Sequence, residues 1–251
     1  DGETWEECIR RVVDGNIALN PTGVRQKERE DLYKYMVSGA IVPAGRQLYM
    51  TGVPGRQFLF NCHVSGWTSS LEDHFTFTFL RLMEGGGVGA NYSTKYIEKY
   101  SVNNLVRVHL VCDTAHPDFE KLKPYLDEKL PFGTRFWRVE DSREGWAFAL
   151  GSTIRAGNNA FPCSYLDIDP NSDTVHMVFN LSDIRPEGSS IKTFGGTAAG
   201  PVPLAKLLVK TAEIMNSMWL DGVNSAFLMD IDHAIAECVI SGNVRRSARM
   251  S

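Results

Sequence analysis

The sequence predicts an α/β protein with much parallel sheet. Short apolar segments of strand character, "FLFNCHV", "NLVRVHLVC" and "VHMVFN", recur along the chain. Between them lie stretches whose apolar residues return every three to four positions, the helical period. Strands that alternate with helices in this way pack as layers of helix on sheet. No internal repeat and no low-complexity tract interrupts the pattern.

Residues 4 to 40 read as helical, with Trp5, Cys8, Ile9, Val12 and Val13 in one pattern and Leu32, Met36 and Ala40 in a second. "NPTG" separates the two, and "IVPAGRQLYMTGVPGRQ" reads as irregular chain because Gly and Pro punctuate it. After "FLFNCHV" comes "SSLEDHFTFTFLRLMEGGG". There Ser70 and Asp73 stand at capping-box spacing, Leu71, Phe75, Phe79 and Leu82 form an apolar stripe, and Gly85 stops the helix. "VGANYS" is a short strand or loop. From 104 to 146 the charge rises: "NLVRVHLVC" alternates, "DTAHPDFEKLKPYLDEKL" is a polar helix broken at Pro124, and "FWRVEDSREGWAFALGSTI" leads into another helix. That stretch reads as an inserted lobe. Beyond the strand "VHMVFN" and a turn-rich loop, one helix carries Leu204, Leu208, Met215 and Trp219, and a last one buries Leu228, Ile231, Ile235 and Cys238 before Gly242.

The chain's 251 residues suffice for one substantial core, or a core with a smaller lobe. Apolar residues at 43% and charged ones at 22% are ordinary globular usage. A net charge of -4 and a pI near 5.9 argue against general nucleic-acid binding, which needs a basic surface, but not against binding a nucleotide. No apolar run is long enough to cross a membrane, and the N-terminus has no signal-peptide pattern. Five scattered cysteines make a poor disulfide framework and fit a reducing, cytoplasmic compartment. The first residue is not Met and the last are "VRRSARMS", so both ends read as cut.

Chemistry-bearing residues fall in a few places. Cys62 lies alone in an apolar strand and reads as packing filler, metal ligand or reactive thiol. Metal ligation is disfavoured, because the neighbour His63 points to the opposite strand face. His109, Cys112 and His116 fail as a metal set on the same alternation, and no second pair stands at zinc spacing. "EGGGVGANYS" satisfies G-x-G-x-x-A on paper, but a helix precedes it where the dinucleotide fingerprint needs a strand. Its glycines still offer bare backbone to a phosphate or ribose. "IRPEGSSIKTFGGTAAGP" joins Arg185, Lys192, two serines and Gly-Gly ahead of a helix start, a fit for an anion. Arg245 and Arg246 follow the last helix and read first as surface ion-pair partners.

Together "FNC", "GGGVGANYS", "DSREGW", "DIRPEGSSIKTFGGTAAGP" and "SGNVRRSA" resemble the catalytic subunit of ribonucleotide reductases, most of all the monomeric adenosylcobalamin-dependent (class II) type that reduces ribonucleoside triphosphates. The resemblance runs in order from about residue 40 to 251. It implies a ten-stranded α/β barrel of which this chain holds the first half. On that reading 1–57 is an N-terminal helical region, 58–103 with 147–251 is half of the barrel, and 104–146 is an inserted effector-binding lobe. It further implies thiyl-radical chemistry at the ribose, with Cys62 as one of a redox-active cysteine pair. Asn61, Gly86 and Gly87 match positions near the substrate. Arg185, Gly188, Ser189, Ser190, Lys192, Gly195 and Gly196 match a loop that relays the identity of a deoxynucleotide effector. Thioredoxin or a similar dithiol is the implied reductant, and the implied enzyme is a cytoplasmic monomer without a structural metal.

Departures from the family pattern are as informative. No N-x-C-x-E sequence, which carries the family's radical cysteine, occurs in the chain. The C-terminal cysteine pair and most of the cobalamin-contacting region also have no counterpart, so the chain reads as a partial sequence that is inactive alone. Two alternatives remain: a non-catalytic nucleotide-binding regulatory module, and the catalytic subunit of a di-iron (class I) reductase.

Overall fold

Thr4 starts the first helix. Its hydroxyl accepts the Glu7 N–H, and Glu7 Oε2 accepts the Thr4 N–H at 2.8 Å, a reciprocal cap. The computed structural model describes residues 2–19, 22–53, 59–130, 136–158, 167–168, 174–191, 197–240 and 248–250. They fall into a first unit within Asp1–Asn61 and a second from Cys62 onward.

In the first unit α1 (Trp5–Ala18) buries Ile9, Val12 and Val13 against Met36 of α2 (Gln26–Val37), as the apolar spacing predicts. The Gly- and Pro-rich stretch that reads as irregular contains a short helix, α3 (Gly45–Met50). Tertiary contact overrides propensity here. Ala44 O accepts the N–H groups of Gln47 and Leu48, and the Arg11 guanidinium of α1 donates to Leu48 O at 2.7 Å.

The second unit runs β1 (Cys62–Val64), α4 (Leu71–Met83), β2 (Gly87–Gly89), α5 (Thr94–Ile97), β3 (Leu105–Val111), α6 (Phe119–Leu122), β4 (Phe136–Arg138), α7 (Arg143–Gly157), β5 (Asp167–Ile168), β6 (Thr174–Asn180), α8 (Val202–Asp221), α9 (Ser225–Ile240) and β7 (Ala248–Met250). This is the alternating α/β order expected. It builds two sheets. In one, β1, β2 and β7 are parallel, in that order. In the other, β3, β6 and β4 are parallel and β5 joins β6 antiparallel. The strands β3 and β4, from the stretch expected as an inserted lobe, are thus hydrogen-bonded to β6 from outside it. Pro124 ends the helical run there: α6 passes into one 3-10 turn at Lys123–Tyr125.

Helices supply most of the core. Leu71, Phe75 and Phe79 of α4 are 0% exposed, and α4 packs on α7 and α9. Two buried carboxylates pin α4 to α7, Glu72 to Arg155 at 2.9 Å and Glu84 to Arg143 at 3.1 Å. At the C-terminus of α4, Gly85 takes φ 77° and its N–H donates to Leu82 O at 2.8 Å, the left-handed stop predicted for it. The Ser70–Asp73 box does not form. Asp73 instead accepts the Thr68 hydroxyl at 2.7 Å. Among the described residues no helix is long and apolar enough to cross a membrane.

Candidate active site

Cys62 opens β1, and its parallel partner in register is Gly87 of β2, which pairs in turn with Ala248 of β7. In-register residues of a parallel pair project to the same face, and alternate residues share it. Cys62, Gly87, Val64 and Gly89 therefore lie on one face, His63 and Val88 on the other. Val88 is 4% exposed while Val64 is 85% exposed. One face of this sheet packs on the core and the face of Cys62 is open. Beside the thiol stands a residue without a side chain, so backbone can be reached there.

The cysteines are not equivalent. Cys62 is exposed, Cys8 and Cys112 are half-buried, and Cys238 is buried; Cys163 lies outside the described residues. Burial, the largest cause, pushes the thiols of Cys8 and Cys112 up from their ordinary value. A raised thiol holds less nucleophilic thiolate near neutral pH. Among these four, Cys62 is expected to be alkylated first by iodoacetamide, by at least about tenfold over Cys112; peptide mapping of the carboxamidomethyl groups with time checks the order.

The other two residues matched to the substrate each precede a member of this row in the chain. Gly86 is buried, and its N–H donates to Arg81 O at 2.9 Å, so that amide closes the helix turn. A Cβ at 86 would stand 2.9 Å from His63 Cδ2 and 3.1 Å from Arg81 O. Close packing against the imidazole therefore requires glycine at this position. Gly86→Ala is expected to destabilise by about 1–3 kcal/mol, read as a lower urea midpoint with an unchanged slope. Asn61 is exposed in the first unit, where its Oδ1 accepts Arg46 Nη2 at 2.7 Å.

Of the loop matched to effector relay, Arg185, Gly188, Ser189 and Ser190 are described; Lys192, Gly195 and Gly196 lie outside the described residues, as do Arg245 and Arg246. Its stem is a narrow antiparallel pair. Gly188 N–H donates to Ala198 O at 2.9 Å, Ala198 N–H to Ser189 O at 2.8 Å, and Ser190 bridges Thr197. The base is pinned by residues the sequence reading missed. Asp118, 4% exposed, accepts the Glu187 N–H at 2.7 Å, and Asp141 pairs with Arg185 at 2.6 Å. Gly200, at φ 71°, passes so close that a Cβ would sit 2.6 Å from Asp118 Oδ2.

The two histidines considered for a metal have other partners. His116 Nε2 donates to Ile184 O at 2.8 Å, and His109 Nε2 lies 2.9 Å from His176 Nδ1. Among the described residues no group of three or more His, Cys, Asp or Glu side chains could hold a metal ion.

Residues 120–215 match the family model of the B12-dependent ribonucleotide reductase insertion domain. Over 99% of its length the chain is 44% identical to a Mycobacterium phage D29 protein assigned by name as an adenosylcobalamin-dependent ribonucleoside-triphosphate reductase, of which it covers 37%. It is 29% identical, again over 99% of its length, to the enzyme of that name from Lactobacillus leichmannii, covering 38% of it. The fold matches a crystal structure of a B12-dependent (class II) ribonucleotide reductase with a TM-score of 0.79 and 26% identity, over 98% of this chain and 38% of that one. The chain thus spans little more than a third of the length of the curated relatives it matches. In family model, sequence and fold alike, it is similar to the B12-dependent (class II) ribonucleotide reductases.

Proposed function

We propose that this chain contributes the first strands of the active site of an adenosylcobalamin-dependent ribonucleoside-triphosphate reductase, with Cys62 as a reductant of the ribose. One observation carries the reading: in a chain related to these enzymes over 99% of its length, the exposed cysteine stands on the open face of a parallel sheet, in register with Gly87. Replacing a ribose C–OH by C–H takes two electrons and two protons and releases water. Two thiols supply both and end as a disulfide, so Cys62 needs a second thiol. Holding the sulfur on a strand beside bare backbone orients it toward a bound sugar before reaction.

The finer roles follow from the same resemblance. The β1–β2–β7 sheet is the beginning of a ten-stranded barrel. A thiyl radical removes the 3′-hydrogen, and the N-x-C-x-E cysteine that carries it is not among these 251 residues. Asn61 and the backbone of Gly86 and Gly87 contribute to nucleotide binding; Gly87, in register with Cys62, is the best supported of the three. The loop from Arg185 to Gly196, whose described base is held by Asp118 and Asp141, relays a deoxynucleotide effector bound at the 104–146 lobe. A thioredoxin-like dithiol reopens the disulfide, and the enzyme works as a cytoplasmic monomer.

Adenosylcobalamin is bulky, and the open face of Cys62 and Val64 would leave room beside the thiol. No described residue is assigned to hold it, and its contacts fall mostly outside this chain. When bound, it supplies the radical.

The test is deoxynucleotide formation from a ribonucleoside triphosphate, adenosylcobalamin and a dithiol, followed by chromatography. Turnover is expected from a reductase that contains this chain together with an N-x-C-x-E loop. Turnover by the 251 residues alone would overturn the division of labour stated here.

A further inference from the structure

Four polar side chains from four separate places in the sequence meet inside the second unit, just past the strands that carry Cys62 and Gly87. Ser65 follows β1 directly, His74 lies in the first turn of α4, Tyr92 lies three residues beyond β2, and Asp232 is in the middle of α9. Their exposures are 6%, 1%, 8% and 0%. His74 Nδ1 stands 2.8 Å from Ser65 Oγ, and Nε2 stands 3.0 Å from Asp232 Oδ2. The Tyr92 hydroxyl donates to that same carboxylate oxygen. Trp67 covers the imidazole with ring centroids 4.1 Å apart, and is itself fixed by its indole N–H donating to Asn91 O at 2.6 Å.

Ser–His–Asp in this order is the arrangement of a hydrolytic triad, yet access decides against hydrolysis. The serine is buried and the imidazole lies under Trp67, so no substrate reaches the hydroxyl. A serine hydroxyl can donate or accept, so both imidazole bonds persist whether the ring carries one proton or two. What the cluster does touch is the ladder. Ser65 N–H donates to Gly89 O at 2.9 Å, the next rung after the Val64–Gly89 pair, and Ser225 Oγ of α9 donates to Tyr92 O at 2.6 Å. The chain leaving β1 and the chain leaving β2 are thereby both tied to one carboxylate on α9, the helix that precedes β7.

We propose that Ser65, His74, Tyr92 and Asp232 form a positioning clamp that fixes the ends of β1 and β2 and so sets where the Cys62 thiol stands relative to Gly87. The functional half of this inference rests on the reading of Cys62 as the reductant. None of the four touches the nucleotide. They act through the strands.

Amide hydrogen exchange on the protein tests the clamp with Tyr92→Phe and His74→Gln, which keep size and remove or weaken single bonds. Protection at His63–Ser65 and Val88–Ala90 is expected to fall about tenfold or more, while Val106–Leu110 and Val175–Phe179 hold. In the reductase that contains this chain, kcat is expected to fall at least about tenfold with KM for the nucleotide within about twofold, because displaced reacting groups lose rate rather than binding. His74→Gln should retain more activity than His74→Ala. Unchanged or uniformly lowered protection overturns the clamp, and so does local loss of protection with unchanged kcat. If protection falls locally while Cys62→Ser still turns over, the clamp's structural half stands and the reading of Cys62 falls.

Discussion

Replacing Cys62 with serine is expected, on the proposed function, to abolish deoxynucleotide formation by a reductase carrying this chain, by at least about 10³-fold in kcat. Serine fits the site, since it differs by one atom and Cys62 is exposed. What is lost is redox chemistry, because an alcohol and a thiol cannot give up two electrons by closing a disulfide, as two thiols do. The nucleotide should still bind with KM little changed, because uniform binding does not run through the sulfur. Activity assays beside equilibrium nucleotide binding separate these outcomes. A Cys62→Ser protein with more than about a tenth of wild-type kcat would remove Cys62 from the reaction.

Phe79→Ala is the variant expected to cost most in stability, about 3–5 kcal/mol. Phe79 is 0% exposed in α4, within the core that also holds Leu110, Leu150 and Phe179. Truncation removes a ring that the fixed backbones around it cannot replace, because α4 is pinned at both ends to α7 by Glu72–Arg155 and Glu84–Arg143. Against a usual total of about 5–15 kcal/mol this is a large fraction. A lower denaturant midpoint for the second unit with the same slope would register it. A loss below about 1 kcal/mol would mean that the helix layer collapses around the gap.

Local periodicity made some of this visible in the sequence. The stripe Leu71, Phe75, Phe79 and Leu82 is legible because one helix face carries it, and the strand character of 105–111 and 174–180 lies in their apolar pattern. Cys62 was recognisable as a strand residue. Its exposure was not, because exposure depends on what covers the other face. The helix Gly45–Met50 stayed hidden because Arg11, more than 30 residues earlier, holds it. Asp118 and Glu187 lie 69 residues apart, and His74 and Asp232 lie 158 apart. Pairings of that span leave no periodic trace, and each partner taken alone reads as an ordinary helix or turn residue.

The strand order β1–β2–β7 has a consequence for the order of folding. β1 and β2 are joined through a single helix, whereas the paired residues Gly87 and Ala248 lie 161 positions apart in the sequence. Closing so long a span costs chain entropy that only later contacts offset, and contacts of high sequence separation slow the search. The β2–β7 pairing is therefore expected to be the last to form, after β3–β6 and the helix layer have shortened the effective span. Pulse-labelled hydrogen exchange during refolding would show β7 amides protected after those of β6; protection in the reverse order would contradict it. The edge beside Cys62 is then expected to be the slowest part of the molecule to assemble.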